Sequence, residues 1–85
     1  MLNGEQVTTR GPATFSIKLN VQTNVYVVDS ANWSNLRNGR PFHYVDGGHA
    51  THSPILVRVP RAGTWWIVIE GIPGRRVNYE IAVAA

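Results

Sequence analysis

The chain has 85 residues, no cysteine and a formal charge of +3 at pH 7. That length supports one hydrophobic core, so residues 1–85 are expected to form a single domain, and without cysteine neither disulfides nor thiolate metal sites can reinforce it. Seven Arg and one Lys against five acids make a mild basic bias, which favours anionic partners but lacks the dense cationic stripe of a nucleic-acid-binding protein.

The opening segment Met1-Leu2-Asn3-Gly4-Glu5 has neither the basic start nor the apolar run of an export signal, and the stretch from Trp65 to Ile69 is too short to span a bilayer. A cytoplasmic protein without membrane contact is expected. Phe15, Ile17, Leu19 and Val21 then alternate with Ser16, Lys18 and Asn20, the period of a strand with one buried face. From Asn24 to Asp29 a second strand places Val25 and Val27 on one face and Tyr26 and Val28 on the other. Both of its faces therefore need cover.

Residues 31–37 read as one short helix or structured loop, with Ser30 as its cap, Trp33 and Leu36 on one face, and Asn38-Gly39 as its stop. Arg40 to Val45 reads as a strand. The composition of Asp46-Gly47-Gly48-His49-Ala50-Thr51-His52-Ser53-Pro54 predicts a loop after it. Ile55, Val57 and Val59 form the next strand, and Pro60-Arg61-Ala62-Gly63 turns it into Thr64–Glu70 as a hairpin. In that second strand Trp65, Ile67 and Ile69 oppose Trp66, Val68 and Glu70. Gly71-Ile72-Pro73-Gly74 predicts a second hairpin, into a strand carrying Val77, Tyr79, Ile81 and Val83.

These elements predict an all-β fold: a compact antiparallel β-sandwich or barrel of about six to seven strands. Its core is expected to hold Phe15, Ile17, Val27, Val57, Trp65, Ile67, Tyr79 and Ile81. Trp66 and Val68, on the opposite face, need cover from the helix, a loop or a second copy of the chain, and a symmetric dimer through Trp66 is the expected solution.

The series Asp29-Ser30-Ala31-Asn32-Trp33-Ser34-Asn35, Gly39-Arg40, Gly47-Gly48-His49-Ala50-Thr51, Ser53-Pro54 and Val59-Pro60-Arg61-Ala62-Gly63-Thr64-Trp65 resembles a small bacterial all-β domain family of unknown function. The resemblance runs from about Val25 to Val83. That family is found as stand-alone proteins and attached to Toll/interleukin-1 receptor (TIR) domains. It implies a bacterial or phage defence setting and supplies no catalytic residue. Trp66 stands where a polar residue is more usual, and Gly71-Ile72-Pro73-Gly74 replaces a Gly-Gly turn.

The segment from Trp33 to Ser53 collects the residues best suited to binding. Gly47-Gly48 could form a backbone nest for an anion, with Arg37, Arg40, His43 and His49 around it and Trp33 or Tyr44 stacking on a base. These eight residues predict a non-catalytic module that recognises a nucleotide-like anion or a defence protein. No nucleophile elbow or helix-opening glycine motif is present, so neither an enzyme nor a bound cofactor is expected. Two rival readings remain: a metal-binding domain or small metal-dependent enzyme using His43, His49 and His52, and a sugar-binding sandwich using exposed aromatics. Arg75-Arg76 reads as a solvated turn.

Overall fold

Among the described residues the chain forms seven strands and one helix. A computed structural model describes residues 2–84 and contains β1 (Leu2–Thr9), β2 (Ala13–Leu19), β3 (Thr23–Val28), α1 (Ser30–Arg37), β4 (Asp46–Ala50), β5 (Ile55–Val59), β6 (Gly63–Glu70) and β7 (Tyr79–Ala84). One sheet has the strand order β1-β6-β3-β4 and the other β5-β2-β7. All pairings are antiparallel, and the two sheets face each other as a β-sandwich.

Every connection except the one through α1 carries the chain from one sheet to the other. This corrects both expected hairpins, because β5 and β6 lie in different sheets, as do β6 and β7. A tight turn has the same residues whether its strands pair side by side or face each other across a core. The apolar faces decide between the two: Val57 and Val59 of β5 pack in one buried cluster with Trp65, Ile67 and Ile69 of β6, and burying both faces against each other stabilises the crossing.

Phe15, Ile17, Val27, Val57, Trp65 and Ile67 are buried in that cluster, while Tyr79 and Ile81 are half-buried and pack against it. Trp65 closes one end, donating Nε1–H to the Arg61 carbonyl at 3.1 Å beneath the Arg61 guanidinium. Where the sandwich is open, between the unpaired edges of β1 and β7, a groove of about 360 Å³ is lined by Val7, Phe15, Ile81 and Val83. Val83, inward by alternation, lines this groove and is 74% exposed.

One strand was not foreseen, and three local expectations are corrected. The N-terminal strand β1 has little apolar alternation and owes its form to eight residues of pairing with β6, from Leu2↔Glu70 to Thr9↔Gly63. Residues 40–45, expected as a strand, are irregular, and the expected loop 46–54 begins instead with β4. Asp-Gly-Gly-His-Ala is a poor strand sequence, but its backbone pairs with β3 from Val27↔Asp46 to Thr23↔Ala50. Gly47 is required in it: φ is +116° and a Cβ would collide with the Val25 carbonyl oxygen. The cap of α1 is Asp29 rather than Ser30, with Oδ1 accepting from the Asn32 backbone N–H at 2.8 Å.

The outer face of the four-stranded sheet has its own small core of Val28, Trp33 and Val68, with Leu2, Tyr26, Leu36, Phe42 and Trp66 packed around it. The indoles of Trp33 and Trp66 stack at 5.2 Å and 19°. The cover that Trp66 needs thus comes from α1, and the expected dimer through Trp66 loses its physical motive.

Candidate functional site

Helix α1 covers only part of that outer face. The connection from Asn38 to Val45 then runs back over the sheet, and Asn32 fastens it: Asn32 Nδ2–H donates to Asp29 Oδ1 at 2.9 Å, and Asn32 Oδ1 accepts from the His43 backbone N–H at 2.8 Å. This places Phe42 and Tyr44 against Tyr26 of β3. The Tyr26 ring meets Phe42 edge-on at 5.2 Å and Tyr44 at 5.0 Å, and Phe42 and Tyr44 are 6.2 Å apart. Tyr44 remains 48% exposed and Tyr26 half-buried. The result is an aromatic ledge beside the covered half of the face.

Next to the ledge lies a polar row. Antiparallel pairing sets Val25 opposite Ile69 and Asn24 opposite His49, which puts Glu70, Asn24 and His49 side by side across β6, β3 and β4. Asn24 Nδ2–H donates to Glu70 Oε2 at 3.3 Å, and His49 Nδ1 lies 3.0 Å from Asn24 Oδ1. Burial raises the Tyr26 phenol above its ordinary pKa, with further contributions from the charge of Glu70 and from Tyr44. Tyr26, two residues from Asn24 on the same face of β3, joins the polar row to the ledge.

Several residues singled out in the sequence have other duties. Trp33 is buried at 9% exposure, stacked on Trp66 and 5.2 Å from the Arg37 guanidinium, so its ring is not free to receive a ligand. Gly47 and Gly48 form no open nest, since they belong to β4 and the Gly47 N–H donates to the Asp46 carboxylate at 2.9 Å. The other Asp46 oxygen accepts from the Arg58 backbone N–H at 2.7 Å, tying β4 to β5. Arg37, Arg40 and His43 are exposed around the connection, while Tyr44 and His49 belong to the ledge and its row. The three histidines do not converge: among the described residues no group of three or more His, Cys, Asp or Glu could hold a metal ion.

Charge is distributed unevenly. All eight Arg and Lys side chains are exposed, whereas four of the five acids accept internal hydrogen bonds: Glu5 from Tyr79, Asp29 from Asn32, Asp46 from Gly47 and Arg58, and Glu70 from Asn24. The cations are thus free to meet a ligand, while the four carboxylates keep their charge but have part of their accepting capacity occupied. The larger hollows lie elsewhere, one of about 420 Å³ beside Arg75 and Arg76 and the other between β1 and β7. The ledge is a shallow surface suited to stacking.

Residues 5–84 match the family described as Domain of unknown function (DUF1883). The chain belongs to that family. The match covers nearly the whole sandwich, from within β1 to the end of β7, so the ledge and the polar row lie inside the DUF1883 domain. No curated protein and no solved structure matches the chain. Among the described residues of this DUF1883 domain, no helix is long and apolar enough to cross a membrane.

Sequence reasoning missed Asn24, Tyr26, Phe42 and Glu70 as site residues. The alternation of β3 and β6 already places Tyr26 and Glu70 away from the core, but only the pairing of β3 with both β6 and β4 brings them together.

Proposed function

We propose that this DUF1883 domain is a non-catalytic binding module that holds a planar, anionic small molecule of the nucleotide class on the Tyr26–Tyr44 ledge. The observation that carries the reading is an exposed aromatic surface, fixed by packing against Phe42, while the end of α1 and the connection after it present Arg37, Arg40 and His43 to solvent. Stacking on an aromatic ring contributes about 1 to 3 kcal/mol per base, and the guanidinium fork suits a phosphate. The defence setting implied by the family resemblance belongs to the same proposal, with such a molecule acting as a signal. A second copy docked on Trp66 does not, because Trp33 of α1 already stacks on that side chain.

The test is an NMR titration with adenosine, guanosine, cytidine and uridine 5′-monophosphates. Saturable shifts at Tyr26, Tyr44 and His49 are expected, and Tyr44→Ala should abolish them without changing the melting temperature. Shifts confined to Arg75 and Arg76, or none at millimolar nucleotide, would overturn the proposal.

A further inference from the structure

The orientation of the polar row follows from chemistry alone. An ionised carboxylate only accepts hydrogen bonds, so the Asn24 atom facing Glu70 must be the amide nitrogen. Asn24 Oδ1 then faces His49, and an oxygen acceptor requires a hydrogen on His49 Nδ1. In the neutral imidazole this leaves Nε2 as a bare acceptor. Glu70 thus sets the amide of Asn24, and Asn24 sets the tautomer of His49, over contacts of 3.3 and 3.0 Å. The hydrogen-bonding capacity left over is mainly that of an acceptor: Glu70 Oε1, the remaining lone pairs of Oε2, and His49 Nε2. One hydrogen of Asn24 Nδ2 is the single donor left in the row.

We propose that this row reads the edge of the ring held on the ledge and selects a guanine-type base, whose edge donates adjacent N–H groups. The proposal rests on the nucleotide reading above. A carboxylate beside a stacked ring rewards two neighbouring donors, as in the N1–H and N2–H pair of guanine. Adenine and cytosine present a donor next to an acceptor lone pair, which the carboxylate repels, and uracil presents one N–H between two carbonyls. Asn24 and Tyr26 lie two residues apart on one face of β3, with Glu70 and Val68 beside them on β6, so the acceptor row borders the stacking surface. The exposed Arg37 and Arg40 belong to α1 and the turn after it rather than to this row, which keeps the base-reading and phosphate-binding groups on separate elements.

The experiment is calorimetric titration of the whole chain with guanosine, adenosine, cytidine and uridine 5′-monophosphates. The guanine nucleotide should bind about tenfold more tightly than the adenine nucleotide, the discrimination expected of hydrogen bonds to a partly exposed charge. Glu70→Gln should remove that preference from both sides, lowering guanine-nucleotide affinity and raising that of the adenine nucleotide, because a carboxamide no longer repels the acceptor lone pair and can donate to it. His49→Phe, at an exposed position, should lower guanine-nucleotide affinity in the same direction. Equal affinity for all four nucleotides, or a preference for adenine, overturns base selection and leaves the binding reading standing. Binding of none overturns both.

Discussion

The indole of Trp33 lies directly over Gly4. A Cβ at Gly4 would stand 2.5 Å from Trp33 Cη2 and Cζ2, so the absence of a side chain on β1 is what lets α1 seat its tryptophan on the sheet. The contact joins the N-terminal strand to the helix from which the site connection departs.

Gly4→Ala should therefore destabilise the domain by about 1 to 3 kcal/mol through overpacking. Gly11→Ala is the control, because a Cβ there meets nothing within 4 Å and should leave stability nearly unchanged. Urea denaturation of the two variants and the parent decides the matter. Equal losses would mean that glycine acts through chain flexibility and not through the Trp33 contact.

The two hydrophobic clusters should respond differently from an interface between copies. Ile67 is fully buried in the main core, and Ile67→Ala is expected to cost about 2 to 5 kcal/mol. Trp66→Glu places an unpaired carboxylate against the Trp33 stack and should unfold a monomer. Circular dichroism with light scattering distinguishes this from its alternative, a dimeric parent giving a folded monomeric mutant, which would restore Trp66 as a surface between chains.

Alkaline pH should weaken the β1 to β7 junction. Tyr79 donates its hydroxyl hydrogen to Glu5 Oε1 at 2.6 Å, and that bond, followed by burial and the Glu5 charge, pushes the phenol up to about 12 from its ordinary 10.0. A group whose pKa is raised on folding contributes stability that is fully present below about pH 10 and disappears as pH rises through about 12. The Tyr79–Glu5 contact itself lies at the solvent-exposed surface, so the effect is modest. Tyr79→Phe should lower stability at neutral pH and flatten the alkaline decline. The raised phenol of Tyr26, which remains in both proteins, then accounts for what slope is left. A decline of the same steepness in the variant would show that the Tyr79–Glu5 contact carries none of it.

How much could be read beforehand depends on what kind of information each feature uses. Alternation along Phe15–Val21, Asn24–Asp29 and Thr64–Glu70 depends on one strand at a time, so it revealed the strands, their inward faces and the need to cover Trp66. The sheet order depends on which strands meet, and the turns at Pro60–Gly63 and Gly71–Gly74 fit a hairpin as well as a crossing. The strand β4 was hidden because its pairing with β3 outweighs a glycine-rich composition. Tyr44 and His49 were visible as polar or aromatic residues in an unusual segment. Their partners Asn24, Tyr26 and Glu70 looked like ordinary strand residues, and become a site only through register.

Asp46 offers the clearest link between stability and the candidate site. Its two carboxylate oxygens accept from the backbone N–H groups of Gly47 and Arg58, fastening β4, which carries His49, to β5 of the opposite sheet. Ala at position 46 leaves both donors to water and frees the edge of the sandwich at that end. Because these bonds are solvent-exposed, Asp46→Ala should cost only about 1 kcal/mol of global stability. Local opening of β4 should increase more than global unfolding does, since an edge strand with two glycines has little else to hold it. Hydrogen exchange at Gly48 and His49 is expected to accelerate while exchange in β6 stays near that of the parent. Affinity on the Tyr26–Tyr44 ledge should fall in step, as His49 loses its fixed place beside Asn24. Uniform acceleration through both sheets would assign Asp46 to the global fold and detach it from the site.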